Sequence, residues 1–197
     1  ALNFQNRRQL LNKTVTLEAA FLISATAVLY WLGFEVQGLL FQFTEHIPGV
    51  NWFYLPAGLR VLFVLVAGIY GAVGIFAATI VIDLMHMQDL TGILLLLTAL
   101  SSGFGAWVAL WLLRWRGVIA EGLQGLTATG LLQFACVYAV FNALFHQVTW
   151  WVFKREGSLL TVDIWPMFVG DLLGALAFLY GWKLLLMASK SKGLPQI

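Results

Sequence analysis

The 197 residues are 61% hydrophobic and 10% charged, with eleven Lys and Arg against nine Asp and Glu. A soluble domain carries about a quarter of its residues charged, so this composition excludes a water-solvated fold and makes the bilayer the main solvent. The formal charge of +2 lies in small groups rather than in one basic tract, which gives nucleic acid no binding surface.

One helical crossing needs roughly 20 mostly apolar residues, so the length suits five or six crossings and leaves none for a second, soluble domain. The first apolar stretch, Leu17–Phe41, follows a lead containing Arg7, Arg8 and Lys13 and shows no small-residue cleavage pattern, so it reads as an uncleaved first helix. The stretch Trp52–Met87 is too long for one untilted helix and is interrupted by Gly68-Ile69-Tyr70-Gly71. It reads as two crossings, Trp52–Gly68 and Tyr70–Met87, with a single long tilted helix as the alternative. Three more crossings follow at Ile93–Trp115, Leu126–Phe153 and Ile164–Ala188. Cys136, the only cysteine, lies inside the apolar run LLQFACVYAV and reads as a packing residue.

Lys and Arg in short loops stay preferentially on the cytoplasmic side. Six crossings put Arg7, Arg8, Lys13, Arg114, Arg116, Lys183, Lys190 and Lys192 on one side and Arg60, Lys154 and Arg155 on the other. Five crossings would send Arg114, Arg116 and the C-terminal lysines outside. The expectation is therefore an all-α polytopic transmembrane bundle of about six spans, in a bacterial inner membrane, with both termini cytoplasmic. Trp52, Tyr54, Trp150, Trp151 and Trp165 would form an outer aromatic belt, and Trp107, Trp111 and Trp115 would approach the inner interface.

Six crossings also bring most of the unusual polar residues to one depth. Glu35 ends the first helix, Glu45 and His46 occupy the first outer loop, and Arg60 enters the second helix just after Pro56. Asp83 and His86 share a face at the end of the third helix, His146 lies near the end of the fifth, and Asp171 lies inside the start of the sixth. An ionisable group at the bilayer centre costs about 2.5 kcal/mol or more on insertion scales, so it faces protein or water and takes a partner. The simplest arrangement pairs Arg60 with Asp83 or Asp171 beside an outer cavity. Against it stands a plainer reading, in which end-of-helix charges snorkel to the interface and an Arg–Asp pair only fixes helix register.

His86 and His146 sit at a similar depth, as a b-type haem would need, but both adjoin loops, so no cofactor, haem or pigment is expected. A metal site from His46, His86, His146 and Asp83 lacks a His-x-x-x-His spacing, and none is expected. Ser101-Ser102-Gly103 lies inside an apolar helix, where small residues let neighbours approach closely, and Asn142 reads first as a packing position, with a hydrogen bond across helices as the alternative. No nucleophile-elbow, Walker or dinucleotide-binding pattern is present, so the chain is not expected to be an enzyme.

Three stretches in order resemble a known family. WFYLPAGLRVLFVLVAGIYGAVGIFAATIV is similar to the Leu-Pro-Ala-Gly-Leu helix, glycine break and next helix of the membrane-associated sensor domains called MASE, type one. TALSSGFGAWVALWLLRWRG resembles that family's following helix, and DIWPMFVGDLLGALAFLYGWKLLL its Gly-Asp-x-x-Gly final helix. The match runs from about residue 50 to 185, with Pro56, Gly58, Gly170, Asp171 and Gly174 as the matching positions. It departs from the family in the number of crossings, often about eight there, and in having no proline soon after Gly174. The resemblance implies a bacterial sensory module that passes a signal to a cytoplasmic output domain. No such domain lies within these residues, so the expected partner, besides the lipid bilayer, is another membrane protein or a separate output protein. Two rival expectations are a substrate-binding membrane subunit of a transporter and an accessory subunit of a respiratory or photosynthetic complex.

Overall fold

A computed structural model describes residues 4–87, 89–90, 92–120 and 126–191, with side chains described from 14 to 181. Gln88 and Lys192 lie outside the described residues. The described residues form six helices: α1 (Phe4–Phe41), α2 (Pro56–Ala67), α3 (Ile69–His86), α4 (Gly92–Trp115), α5 (Ala128–Val152) and α6 (Leu160–Ser191). Between α1 and α2 a short antiparallel hairpin pairs β1 (Glu45–Ile47) with β2 (Val50–Asn51). Five of the helices are long and apolar enough to cross a membrane, and the fold is an all-α polytopic bundle.

Side-chain and backbone contacts fix the helix directions. Gly74 packs on Ile23 and Thr26, and Glu35 meets His86, so α1 and α3 run in parallel. Gly170 and Gly174 pack on Asn51 and Tyr54, and Gly58 packs on Phe178, so α2 and α6 run together in the other direction. Ser102 meets His146 and Thr98 meets Trp150, which makes α4 and α5 antiparallel. Successive helices thus alternate, and the start of α1 and the end of α6 lie at the end of the bundle opposite the hairpin.

The difficult stretch is two helices, not one. The chain reverses at Gly68, whose φ of 56° and ψ of −126° suit only a residue without a side chain. A Cβ at Gly71 would overlap the Phe63 carbonyl, which shows how closely the helices fold back on each other. The expected crossing Trp52–Gly68 is corrected in one respect. Its helix begins only at Pro56 and has 12 residues, about 18 Å, against a hydrocarbon core of about 30 Å. Residues 51–55 approach it in a non-helical path along α6.

Non-helical backbone at membrane depth is tolerated where protein satisfies its polar groups. Gln37, buried on α1, does this with one side chain, accepting from the Leu55 amide at 2.9 Å and donating to the Phe53 carbonyl at 2.8 Å. The Tyr54 amide donates to the Gly170 carbonyl at 3.1 Å. Only glycines allow that approach, because a Cβ at Gly170 would overlap the Asn51 carbonyl and one at Gly174 the Tyr54 carbonyl.

The apolar core gathers around α2, where Ala57, Val61 and Val64 pack with Ala72, Ile75, Ala106, Phe134 and Ala175. Large apolar side chains cover the outside, among them Phe21 at 71% exposed and Leu39 at 83%. Of the expected aromatic belt, Trp52, Trp151 and Trp165 are outward and exposed. Trp150 and Tyr54 are corrections: Trp150 is buried and donates to Thr98 at 3.1 Å, while Tyr54 turns inward over Arg60. Each has a polar tip that finds a partner inside the bundle.

Candidate functional site

α3 has 18 residues and α2, folded back on it, only 12. The six extra residues raise the upper part of α3 about 9 Å beyond the start of α2. Because residues 51–55 follow α6 rather than continuing α2, the space above Pro56 is left to a chamber of about 510 Å³. Exposed Leu39, Gln42 and Glu45 stand at its mouth on the hairpin end, and Arg60 lies at its floor. All five residues singled out as ligand or ion-pair candidates, Arg60, Asp83, His86, His146 and Asp171, line this one chamber.

Arg60 is buried at 5% exposure and is held by side chains of three other helices, α1, α4 and α5. Its Nε donates to the Tyr30 hydroxyl at 2.7 Å, one terminal nitrogen to the Tyr138 hydroxyl at 3.1 Å and to Asn142 Oδ1 at 3.2 Å, and the other to Ser102 Oγ at 3.1 Å. The rings of Tyr30 and Tyr54 lie 5.4 and 5.2 Å from the guanidinium carbon. A planar fork with five N–H donors suits such a set; a lysine ammonium would reach fewer of these acceptors.

The expected direct pairing of Arg60 with Asp171 or Asp83 is not what forms. Among the described residues the ion pairs are His46–Asp163, His86–Glu35 and Arg155–Asp89. Asn142 stands between Arg60 and Asp171, accepting from the first through Oδ1 and donating to the second through Nδ2 at 2.5 Å. Tyr138, whose hydroxyl accepts from Arg60, lies close enough to Asp171 for the two to interact electrostatically. An amide carries one acceptor and one donor end, so it links cation to anion without either losing a partner.

His146 completes the floor. Its Nδ1 faces the Asn142 carbonyl at 2.9 Å and its Nε2 faces Ser102 Oγ at 3.1 Å. The carbonyl can only accept, so Nδ1 carries the proton and Nε2 accepts from the Ser102 hydroxyl. Both ring nitrogens are thereby engaged. His86 lies at the mouth, 3.5 Å from Glu35, and His46 on the hairpin faces Asp163 at 3.1 Å, so the three histidines serve three separate places. Among the described residues no group of three His, Cys, Asp or Glu is placed to hold a metal ion.

Asp83 and Thr79 are in a different state. They sit one turn apart on α3, line the chamber and are 2% and 5% exposed, yet Asp83 Oδ2 and Thr79 Oγ1 have no hydrogen-bond partner among the described residues.

Ser102 is expected as a packing position and Asn142 first as one, with a hydrogen bond across helices as its other use; the structure makes both polar ligands of Arg60. A signal was present. Tyr138, Asn142 and His146 recur every four residues on α5, as do Thr98 and Ser102 on α4 and Thr79 and Asp83 on α3. That spacing puts each set on one helix face, and the three faces converge on the chamber. The matched positions Pro56, Gly58, Gly170 and Gly174 lie along the seam of α2 with α6, where they shape the chamber's floor without lining it.

No protein-family model, curated protein or solved structure matches this chain.

Proposed function

We propose that this chain is a non-enzymatic module of a bacterial inner membrane, with cytoplasmic termini, that binds a small polar solute through the hairpin-end chamber and reports the bound state to a partner protein. The observation that carries this reading is the chamber itself. A volume of about 510 Å³ lies within the roughly 300–1,000 Å³ of small-molecule sites, and its floor is a connected polar network rather than an apolar core. Arg114 and Arg116 at the far end of α4 agree with a cytoplasmic position for the termini. The resemblance to MASE-type sensor domains adds a signalling role, since such a domain acts through an output partner.

A second reading, a solute-binding subunit of a transporter, draws on the interrupted pass before α2. Transporter sites are often built where a helix stops at membrane depth and irregular backbone lines a cavity. One experiment separates the two. The protein, gently extracted and held in nanodiscs, is analysed by native mass spectrometry for what accompanies it, then by thermal melting against a panel of amines, carboxylates and neutral sugars. A stabilising solute with a signalling partner supports the sensor, and co-purifying ATPase subunits support the transporter. No stabilising solute in the panel removes both.

A further inference from the structure

We infer that the Asp83–Thr79 wall of the chamber binds an organic cation bearing N–H donors, a primary or secondary ammonium. This rests on the chamber being a solute site, and it names the class of solute.

The argument begins with the charges that face the chamber. Arg60 is its one buried cation among the described residues, and two buried carboxylates, Asp171 and Asp83, both feel its field; Asp83 also feels Arg155, a buried cation outside the chamber whose charge is met by Asp89 at 2.6 Å. Asp171 is served by the Asn142 amide, which links it to Arg60. Glu35 faces His86 at the half-exposed mouth, Glu45 accepts from the Gly49 amide at the rim, and both nitrogens of His146 are taken. That leaves Asp83 one positive charge short, with Oδ2 unpartnered and the Thr79 hydroxyl unpartnered beside it. A buried carboxylate without a counter-charge is heavily penalised in low dielectric. The missing charge is therefore a positive one.

An anion is disfavoured by the same inventory. Four of the five N–H donors of Arg60 are already spent on protein acceptors, and its charge is shared between two carboxylates. A bare metal ion is disfavoured too, since among the described residues no cluster of three ligating side chains is placed for one and the chamber is large. The aromatic faces separate one kind of organic cation from another. Tyr30 and Tyr54 carry Arg60, and Trp150 carries Arg155 at 3.9 Å, so these rings do not form a free cage for a quaternary ammonium. Recognition falls to hydrogen bonds, for which a carboxylate oxygen and a hydroxyl one turn apart are suited.

The test uses the whole chain in nanodiscs, followed by intrinsic tryptophan fluorescence on heating. The probes are 2-phenylethylammonium chloride, its N,N,N-trimethyl analogue, which has the same body without N–H, and sodium chloride at matched strength. The primary amine is expected to raise the melting temperature saturably, by about 5 °C or more at a hundredfold excess over Kd, while the other two do not. Asp83→Asn should melt at or above the unliganded native protein and lose the response, and Thr79→Val should weaken the apparent affinity about tenfold, the size of one charge-assisted hydrogen bond. Should Asp83→Asn fail to accumulate, the near-isosteric Thr79→Val carries the decision. Equal stabilisation by the trimethyl analogue, or a response that survives Asp83→Asn or is unchanged in Thr79→Val, overturns the inference. If neither amine acts but a carboxylate or sugar from the panel does, the chamber reading stands and this inference falls; if no solute acts, both fall.

Discussion

Arg60 and Asp171 are joined through a third side chain: Asn142 accepts from the arginine at 3.2 Å and donates to the aspartate at 2.5 Å. The arrangement lets Arg60 keep three further acceptors that a direct carboxylate pair would displace. It also makes the coupling of the two charges depend on a neutral residue. Removing one partner of a buried pair leaves a bare charge and costs roughly 3–5 kcal/mol, so Arg60→Gln and Asp171→Asn should each lower the melting temperature and the amount of folded protein. The expected signature is in the cycle. The two single changes should be non-additive by about 1 kcal/mol or more, and in an Asn142→Ala background that coupling should fall to a few tenths. Additive effects in the native background would show that the bridge carries no energy.

The glycine seam gives a second expectation. Gly170→Ala and Gly174→Ala would each drive a methyl into a backbone carbonyl of the segment that roofs α2, while Gly181→Ala on the same helix meets nothing within 4 Å. Overpacking typically costs about 1–3 kcal/mol, and more where backbone must move. The first two should therefore sit at or above the top of that range, and Gly181→Ala should be near neutral by thermal melting. Equal effects at all three positions would mean that the descending segment does not lie against α6.

Topology offers a third. Reporter fusions after Gly49 and after Ser191 should report opposite sides of the membrane, since the hairpin and the end of α6 lie at opposite ends of the bundle. Ile69→Cys, at an exposed position beside the turn, in a Cys136→Ser background should label from the side of Ser191. Labelling of that turn from the hairpin side would contradict the reversal seen between α2 and α3.

How much of this the sequence discloses depends on the scale of the signal. Five of the helices stand out because runs of about 20 apolar residues have few other uses, and the turn at Gly68 is marked by two glycines in four residues. The start of α2 is less visible. Trp52-Phe53-Tyr54-Leu55 is as apolar as a helix, and contacts with Gln37, Thr44 and Gly170, outside the segment, hold it in another conformation. Depth arguments place Arg60, Asp83, His146 and Asp171 at one level. They cannot distinguish a direct ion pair from one bridged by Asn142, because that difference of one side chain lies in helix rotation and not in hydropathy.

The last expectation concerns Ser102 and His146, whose 3.1 Å contact has the outline of a nucleophile and its base, with the Asn142 carbonyl orienting the ring. Two features argue against that use. Ser102 Oγ already accepts from Arg60, so a lone pair needed for attack is engaged by a cation, and Asn142 and Tyr138 fill the adjoining positions on the guanidinium. The network reads as a chain of donors that runs from Arg60 through the Ser102 hydroxyl and His146 and ends on the Asn142 carbonyl. Ser102→Ala would leave both an Arg60 N–H and His146 Nε2 without a partner, at roughly 1–3 kcal/mol; His146→Leu would leave only the rotatable serine proton, and should cost less. A fluorophosphonate probe should not label the native protein in nanodiscs. Stoichiometric labelling that disappears in Ser102→Ala and in His146→Leu would identify a hydrolytic dyad and sink the non-enzymatic reading, whatever the stability order of the two variants.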